Sequence, residues 1–156
     1  MFSGIRFLLA VGYAQRCYTN GMKKLLMVSA LLAGSVGIIL VCGGAWAVLF
    51  TYQNVSRENI VTPDDASIPN VSVRGPFTLY AQADIIRGHV LKATGGKTYA
   101  ELPRDAEQRP LWVTATTLMT ALHLGIITYL FSGLIMLFGL ISIWTGVVFG
   151  VLSKRY

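Results

Sequence analysis

Gly95-Gly96-Lys97-Thr98 has residue types that could cradle a phosphate, with backbone amides wrapping the anion and a lysine reaching it. A phosphate-binding loop of that kind needs G-x-x-x-x-G-K-[ST], and the position five before Gly96 is Leu91. The glycines here also close a helical pattern, whereas a phosphate loop opens a helix after a strand. The pair is therefore expected to be a helix C-cap in left-handed backbone, with no nucleotide bound. His89 and His123 are the only histidines, and Asp84, Glu101, Asp105 and Glu107 supply carboxylates. Together they could make a two-histidine, one-carboxylate iron site, but nothing in their spacing marks ligands. Serine catalysis lacks a nucleophile elbow. We thus expect no catalytic, cofactor-binding or metal-ligating residues. Lys97, Tyr99 and Glu101 beside the cap are expected to form a contact surface for a partner.

The elements that must position these residues are set by charge and hydropathy. Arg6, Arg16, Lys23 and Lys24 precede a first uncharged run, and Lys154 and Arg155 follow a second. All 7 acidic residues lie between the runs. The net charge of +6 therefore comes from the two ends. Cations flanking apolar spans indicate membrane orientation, not nucleic-acid binding. Leu25 to Phe50 carries no charge, and a helix of that length covers roughly 39 Å, enough to cross a hydrocarbon core. "MKKLLMVSALLAG" begins like a cleaved signal, and Ala45-Trp46-Ala47 has the A-x-A form. The apolar run is too long for that, and Val41 before Cys42 fits a lipoprotein signal badly. An uncleaved signal anchor is expected, with translation starting at Met1 or at Met22.

The second run, Pro110 to Ser153, is too long for one simple span. Two spans within it would place Lys154 and Arg155 outside, against the positive-inside rule. Its first third is rich in threonine, and Leu111, Ala115, Leu118 and Leu122 fall at helical spacing. The expectation is a membrane-proximal amphipathic helix over 111–125, with Trp112 as an interfacial anchor, then a span over 126–152. Small residues recur every four positions, as Ser29, Ala33 and Gly37 in the first span and Ser142, Gly146 and Gly150 in the second. Such stripes let helix backbones approach closely in lipid, on each other or on another subunit.

Residues 51–110 connect the runs. Short β-branched pieces (Asn59 to Thr62, Val71 to Val73) alternate with the turn signals Thr62-Pro63-Asp64-Asp65 and Arg74-Gly75-Pro76. Asn54-Val-Ser56 and Asn70-Val-Ser72 match a glycosylation sequon of low specificity. After Pro76, Leu79, Ala83, Ile86, Val90 and Ala93 make one apolar helical stripe. A second short turn, Tyr99-Ala100-Glu101-Leu102, stops at Pro103. A segment of this size buries little core alone, and it has no cysteine to staple it. Cys17 and Cys42 read as unpaired small hydrophobes.

The run "VRGPFTLYAQADIIRGHVLKATGGKTYAEL", residues 73–102, resembles a family of small actinobacterial two-span membrane proteins of uncharacterised function. Automatic labels often call that family "aromatic ring-opening dioxygenase", a chemistry these residues do not support. The resemblance implies an actinobacterial plasma-membrane protein, and this chain departs from it in a longer C-terminal run with a basic stop.

The expected architecture is all-α, with two transmembrane helices forming a hairpin around a small, mainly helical extracytoplasmic module. The segments are a cytoplasmic basic arm (1–24), spans at 25–50 and 126–152, the module at 51–110, the amphipathic helix at 111–125 and a cytoplasmic tail at 153–156. The expected partners are the lipid bilayer and either itself or another membrane protein, with no nucleic acid, nucleotide or cofactor. The expected role is structural or accessory, through protein contacts, and the alternative is a membrane-anchored enzyme or metal-dependent factor.

Overall fold

A computed structural model describes the backbone of residues 2–155 and the side chains of residues 19–155. Three helices follow in order, α1 (Phe2–Arg57), α2 (Pro76–Ala93) and α3 (Arg109–Ser153). Cys17 and most of the basic arm expected over 1–24 lie outside the residues whose side chains are described. Two helical stretches, Thr19–Arg57 and Arg109–Ser153, are long and apolar enough to cross a membrane. Only 6% and 11% of their most apolar windows are buried. The chain divides into two compact units, one formed by Met1–Gly43 with Leu134–Tyr156, the other by Gly44–Gly133.

In the first unit, α1 and α3 run antiparallel and touch through small residues. A Cβ built on Gly37 would lie 2.6 Å from the carbonyl oxygen of Gly139 and 2.6 Å from Cγ1 of Ile143. One built on Gly139 would lie 2.8 Å from the carbonyl oxygen of Gly37, and one on Gly146 would lie 2.9 Å from that of Ala30. Only hydrogen fits at these positions, which is how packing replaces hydrophobic burial between apolar helices. The Ser142 hydroxyl donates to the carbonyl oxygen of Ala33 at 2.9 Å and ties the helices at mid-contact. Ala33, Gly37, Ser142 and Gly146 thus stand on the seam, and a Cβ on Gly150 would reach Ala30 at 3.9 Å. Ser29 is half-buried, and Ala30, Gly34 and Gly139 carry contacts that the four-residue stripes omit.

The second unit packs the end of α1, all of α2 and the start of α3 around two small cores. Val73, Leu79, Ala83 and Leu122 form one, with Val55, Ile60 and Ile126 against it. Val90, Leu102, Trp112 and Ala115 form the other. α2 therefore runs antiparallel to α3, with Leu79 at the level of Gly125 and Val90 at the level of Trp112. Pro76 occupies the first turn of α2, where a missing N–H costs nothing. Thr78 Oγ1 accepts from the backbone amides of Arg74 and Gly75 at 3.0 and 3.1 Å. The β-branched pieces of the connecting segment meet in one isolated antiparallel bridge, Val61 with Ser72. Thr62, 1% exposed, closes it by exchanging side-chain hydrogen bonds with Val71.

The segments 111–125 and 126–152, expected to lead one into the other, lie on one continuous helix. The threonines do not break it, because Thr114, Thr117, Thr120 and Thr128 each donate to the carbonyl four residues back. Its packed face is rotated from the expected one. Trp112, Ala115 and Leu122 are buried and Met119 is partly so, whereas Leu111 and Leu118 are exposed. Trp112 is a core residue in place of the expected interfacial anchor. On α2, Leu79, Ala83 and Val90 are buried, but Ala93 at the end of the expected stripe is exposed.

Candidate functional site

The corner between α2 and α3 collects most of the residues singled out for chemistry. α2 ends at Ala93 with Thr94 as C-cap. Gly95 and Gly96 then take φ of 63° and 81°, the left-handed region where a side chain is costly. Gly95 N–H donates to Lys92 O at 3.3 Å, and Gly96 N–H donates to Leu91 O at 2.7 Å. That pair of bonds is a Schellman motif, so the glycines satisfy the last carbonyls of α2. Their amides are spent on the helix and do not converge on an anion.

The following turn is locked from within. Glu101 Oε2 accepts from the Thr98 amide at 2.7 Å and from the Thr98 hydroxyl at 2.8 Å. Those two donors hold the Glu101 carboxyl below its ordinary range. Lys97 O accepts from Thr94 Oγ1 at 2.6 Å and from Trp112 Nε1 at 3.1 Å. Lys97, Tyr99 and Glu101 are all exposed, but Tyr99 and Glu101 are engaged with their own chain.

Arg109 is the knot of this corner. Its guanidinium lies 4.0 Å from the centre of the Tyr99 ring. One Nη donates to Leu102 O at 2.9 Å, with Tyr99 O at 3.4 Å and Pro103 O at 3.5 Å. A cation in the first turn of a helix opposes the helix dipole, so Arg109 is tolerable only because carbonyls and a ring face surround it. Neither Arg109 nor Trp112 was singled out as a site residue from sequence. The available signal was an arginine directly before Pro110 at a helix start, where an acidic residue is the usual choice.

Two open grooves flank α3 here. One, about 520 Å³, is lined by Tyr99, Val113, Thr116, Thr117, Thr120 and Leu124 with Ala121. The other, about 560 Å³, runs past Arg104, Asp105, Arg109, Pro110 and Thr114. Both are surface depressions of a size that admits a side chain or short segment of another molecule.

The histidines do not join the carboxylates considered for them. His89 Nε2 lies 2.8 Å from Oδ2 of Asp65, which reaches it from the connecting segment. A carboxylate only accepts, so Nε2 carries the proton. That hydrogen bond holds the Asp65 carboxyl below its ordinary range, with charge on His89 and Lys92 adding to it. His123 is exposed on α3. Among the described residues no group of three or more His, Cys, Asp or Glu could hold a metal ion. Ser35, Ser132, Ser142 and Ser153 each donate to a main-chain carbonyl. No protein-family model, curated protein or solved structure matches the chain.

Proposed function

We propose that the protein is a two-span plasma-membrane protein whose role is structural or accessory, exercised through protein contacts. On this reading 25–50 and 126–152 cross the bilayer as a hairpin, both termini are cytoplasmic, and 51–125 lies outside. The observation that carries it is the large apolar surface of α1 and α3 beyond their mutual seam. Leu31 and Ile39 on α1, and Leu130 and Trp144 on α3, are each 66–70% exposed. A helix apolar all round needs lipid or protein to cover it. At 45 residues, α3 is also roughly twice as long as a hydrocarbon core of about 30 Å requires, which leaves its threonine-rich start outside. Because the small-residue stripes serve the contact between α1 and α3, partners would engage other surfaces, with the grooves beside Tyr99 and Arg109 the best shaped. The same reading makes the chain a relative of the actinobacterial two-span family that residues 73–102 resemble.

Reporter fusions at Gly95 and Tyr156, combined with crosslinking and native purification from membranes, test both halves of the proposal. The expected result is an outside signal at Gly95, an inside signal at Tyr156 and a co-purifying partner or second copy. An outside signal at Tyr156 overturns the topology. A monomer with nothing bound overturns the role.

A further inference from the structure

Resting on that membrane reading, we infer that α2 is itself a lipid-contacting element. Its first turn, Phe77 and Tyr80, would insert into the outer interface of the bilayer and seat the module on the membrane. Phe77 is 79% exposed and Tyr80 is 60% exposed. They stand on one helix face with Asp84 and Arg87, so that face runs from apolar through phenolic to charged toward the C-terminus of α2.

The other two helices of the same unit also lose their unbroken apolar surface near this level. On α1 the exposed Trp46, Leu49 and Phe50 give way to Tyr52, then to Gln53, Asn54 and Arg57. On α3, read upward, the unbroken exposed apolar run of Phe131, Leu130, Ile127 and Leu124 gives way to a mixed surface, where Thr120, Thr117 and Thr116 alternate with exposed Leu118 and Val113. Three contacts fix the common level. Tyr129 Oη donates to Arg74 O at 2.7 Å, the Arg74 guanidinium reaches Tyr52 Oη at 3.5 Å, and a Cβ on Gly125 would lie 3.1 Å from Leu79 Cδ1. Arg74 and Gly75 lead directly into Phe77, so the apolar end of α2 lies where the other helices lose their unbroken apolar surface.

A lipid boundary is a plane, and it requires every helix crossing or touching it to change character at one depth. A protein partner imposes no such coincidence on three separate surfaces. The residue types agree, because aromatic rings with a polar tip and an arginine that keeps its head in water are those enriched at the headgroup level. Pro76 and the hydrogen bonds of Thr78 fix the direction in which α2 leaves this level. Its later turns rise away with Asp84 and Arg87 in water.

The test uses the full chain in vesicles of phosphatidylethanolamine and phosphatidylglycerol, with Cys17→Ser throughout. One environment-sensitive fluorophore is attached singly at Phe77→Cys, Tyr80→Cys or Lys97→Cys, each also carrying Cys42→Ser, or at native Cys42. Quenching by a lipid spin-labelled near the headgroup end of its chain, and by a deeper label, is compared with quenching by aqueous iodide. The expected result is loss of fluorescence to the shallow lipid label and shielding from iodide at positions 77 and 80. Position 97 should respond to iodide, and Cys42 to the deeper lipid label. Iodide quenching at 77 and 80 with lipid quenching at Cys42 overturns the inference while the membrane reading stands. Shielding of 77 and 80 from both quenchers means that protein covers them and also overturns it. Iodide access at Cys42 removes the membrane reading, and this inference with it.

Discussion

Trp112 and Arg109 show how a few side chains hold the corner between α2 and α3 together. The Trp112 ring fills the core with Val90, Leu102 and Ala115, and its Nε1–H donates to a carbonyl that Thr94 also uses. Trp112→Ala should therefore lower the stability of this unit by about 3–5 kcal/mol, through lost contacts and the cavity left behind. Trp112→Phe keeps most of the ring and loses one hydrogen bond, for about 1 kcal/mol. Denaturant unfolding followed by near-ultraviolet circular dichroism separates the two variants. Acid acts on two other residues. Asp65 and Glu101 both titrate below their ordinary values of 3.8 and 4.5, Asp65 chiefly through the His89 hydrogen bond and Glu101 through the Thr98 donors. A depressed carboxyl stabilises the fold above its unfolded pKa, and the contribution is lost as pH falls through the lower folded value. The unit should therefore lose stability as pH falls from the ordinary carboxylate range. Both carboxylates are exposed, so the loss is modest. Unfolding midpoints measured against pH should fall less steeply for Asp65→Asn with Glu101→Gln than for the native chain.

At the scale of elements, the seam between α1 and α3 depends on glycine where backbones meet. Gly37→Ala and Gly146→Ala each bring a methyl group to within 3 Å of a carbonyl oxygen of the facing helix, or force the helices apart. A cost of about 1–3 kcal/mol each is expected, read as reduced stability in a steric-trapping measurement in bicelles. Gly43→Ala, where nothing lies within 4 Å, should stay within about 0.5 kcal/mol of the native chain. The apolar stretches and the Gly95-Gly96 terminator were legible from sequence because each is written in a few consecutive residues. The packed face of α3 was not. Two stripes one residue apart, Leu111 with Leu118 and Trp112 with Met119, differ by only about 100° on the helix. Both are apolar, and only the partners Val90 and Leu102 decide between them. Arg109 was illegible for a related reason, since its value rests on carbonyls supplied by residues 99–103. His89 stands out in the sequence as a histidine, but its partner Asp65 lies 24 positions away across a turn, and no spacing rule links the two.

For the whole molecule, the two units differ in how much chain separates the groups they join. Around Gly95 the contacts close over short distances, with Thr94 to Lys97, Tyr99 to Arg109 and Lys97 to Trp112 all within 15 positions, although the same unit also joins Tyr129 to Arg74 across 55. The bond from Ser142 to Ala33 spans 109 positions. Closing a long loop costs entropy before any contact offsets it, so local pairings lead and distant ones follow. The corner around Gly95 can take shape as soon as α2 and the start of α3 have been made. The glycine seam must wait for the last turns of α3. Until then α1 keeps a strip of bare backbone at Ala30, Gly34 and Gly37. The nascent chain thus passes through an interval in which its own α3 competes with any other small-residue helix nearby for the same strip.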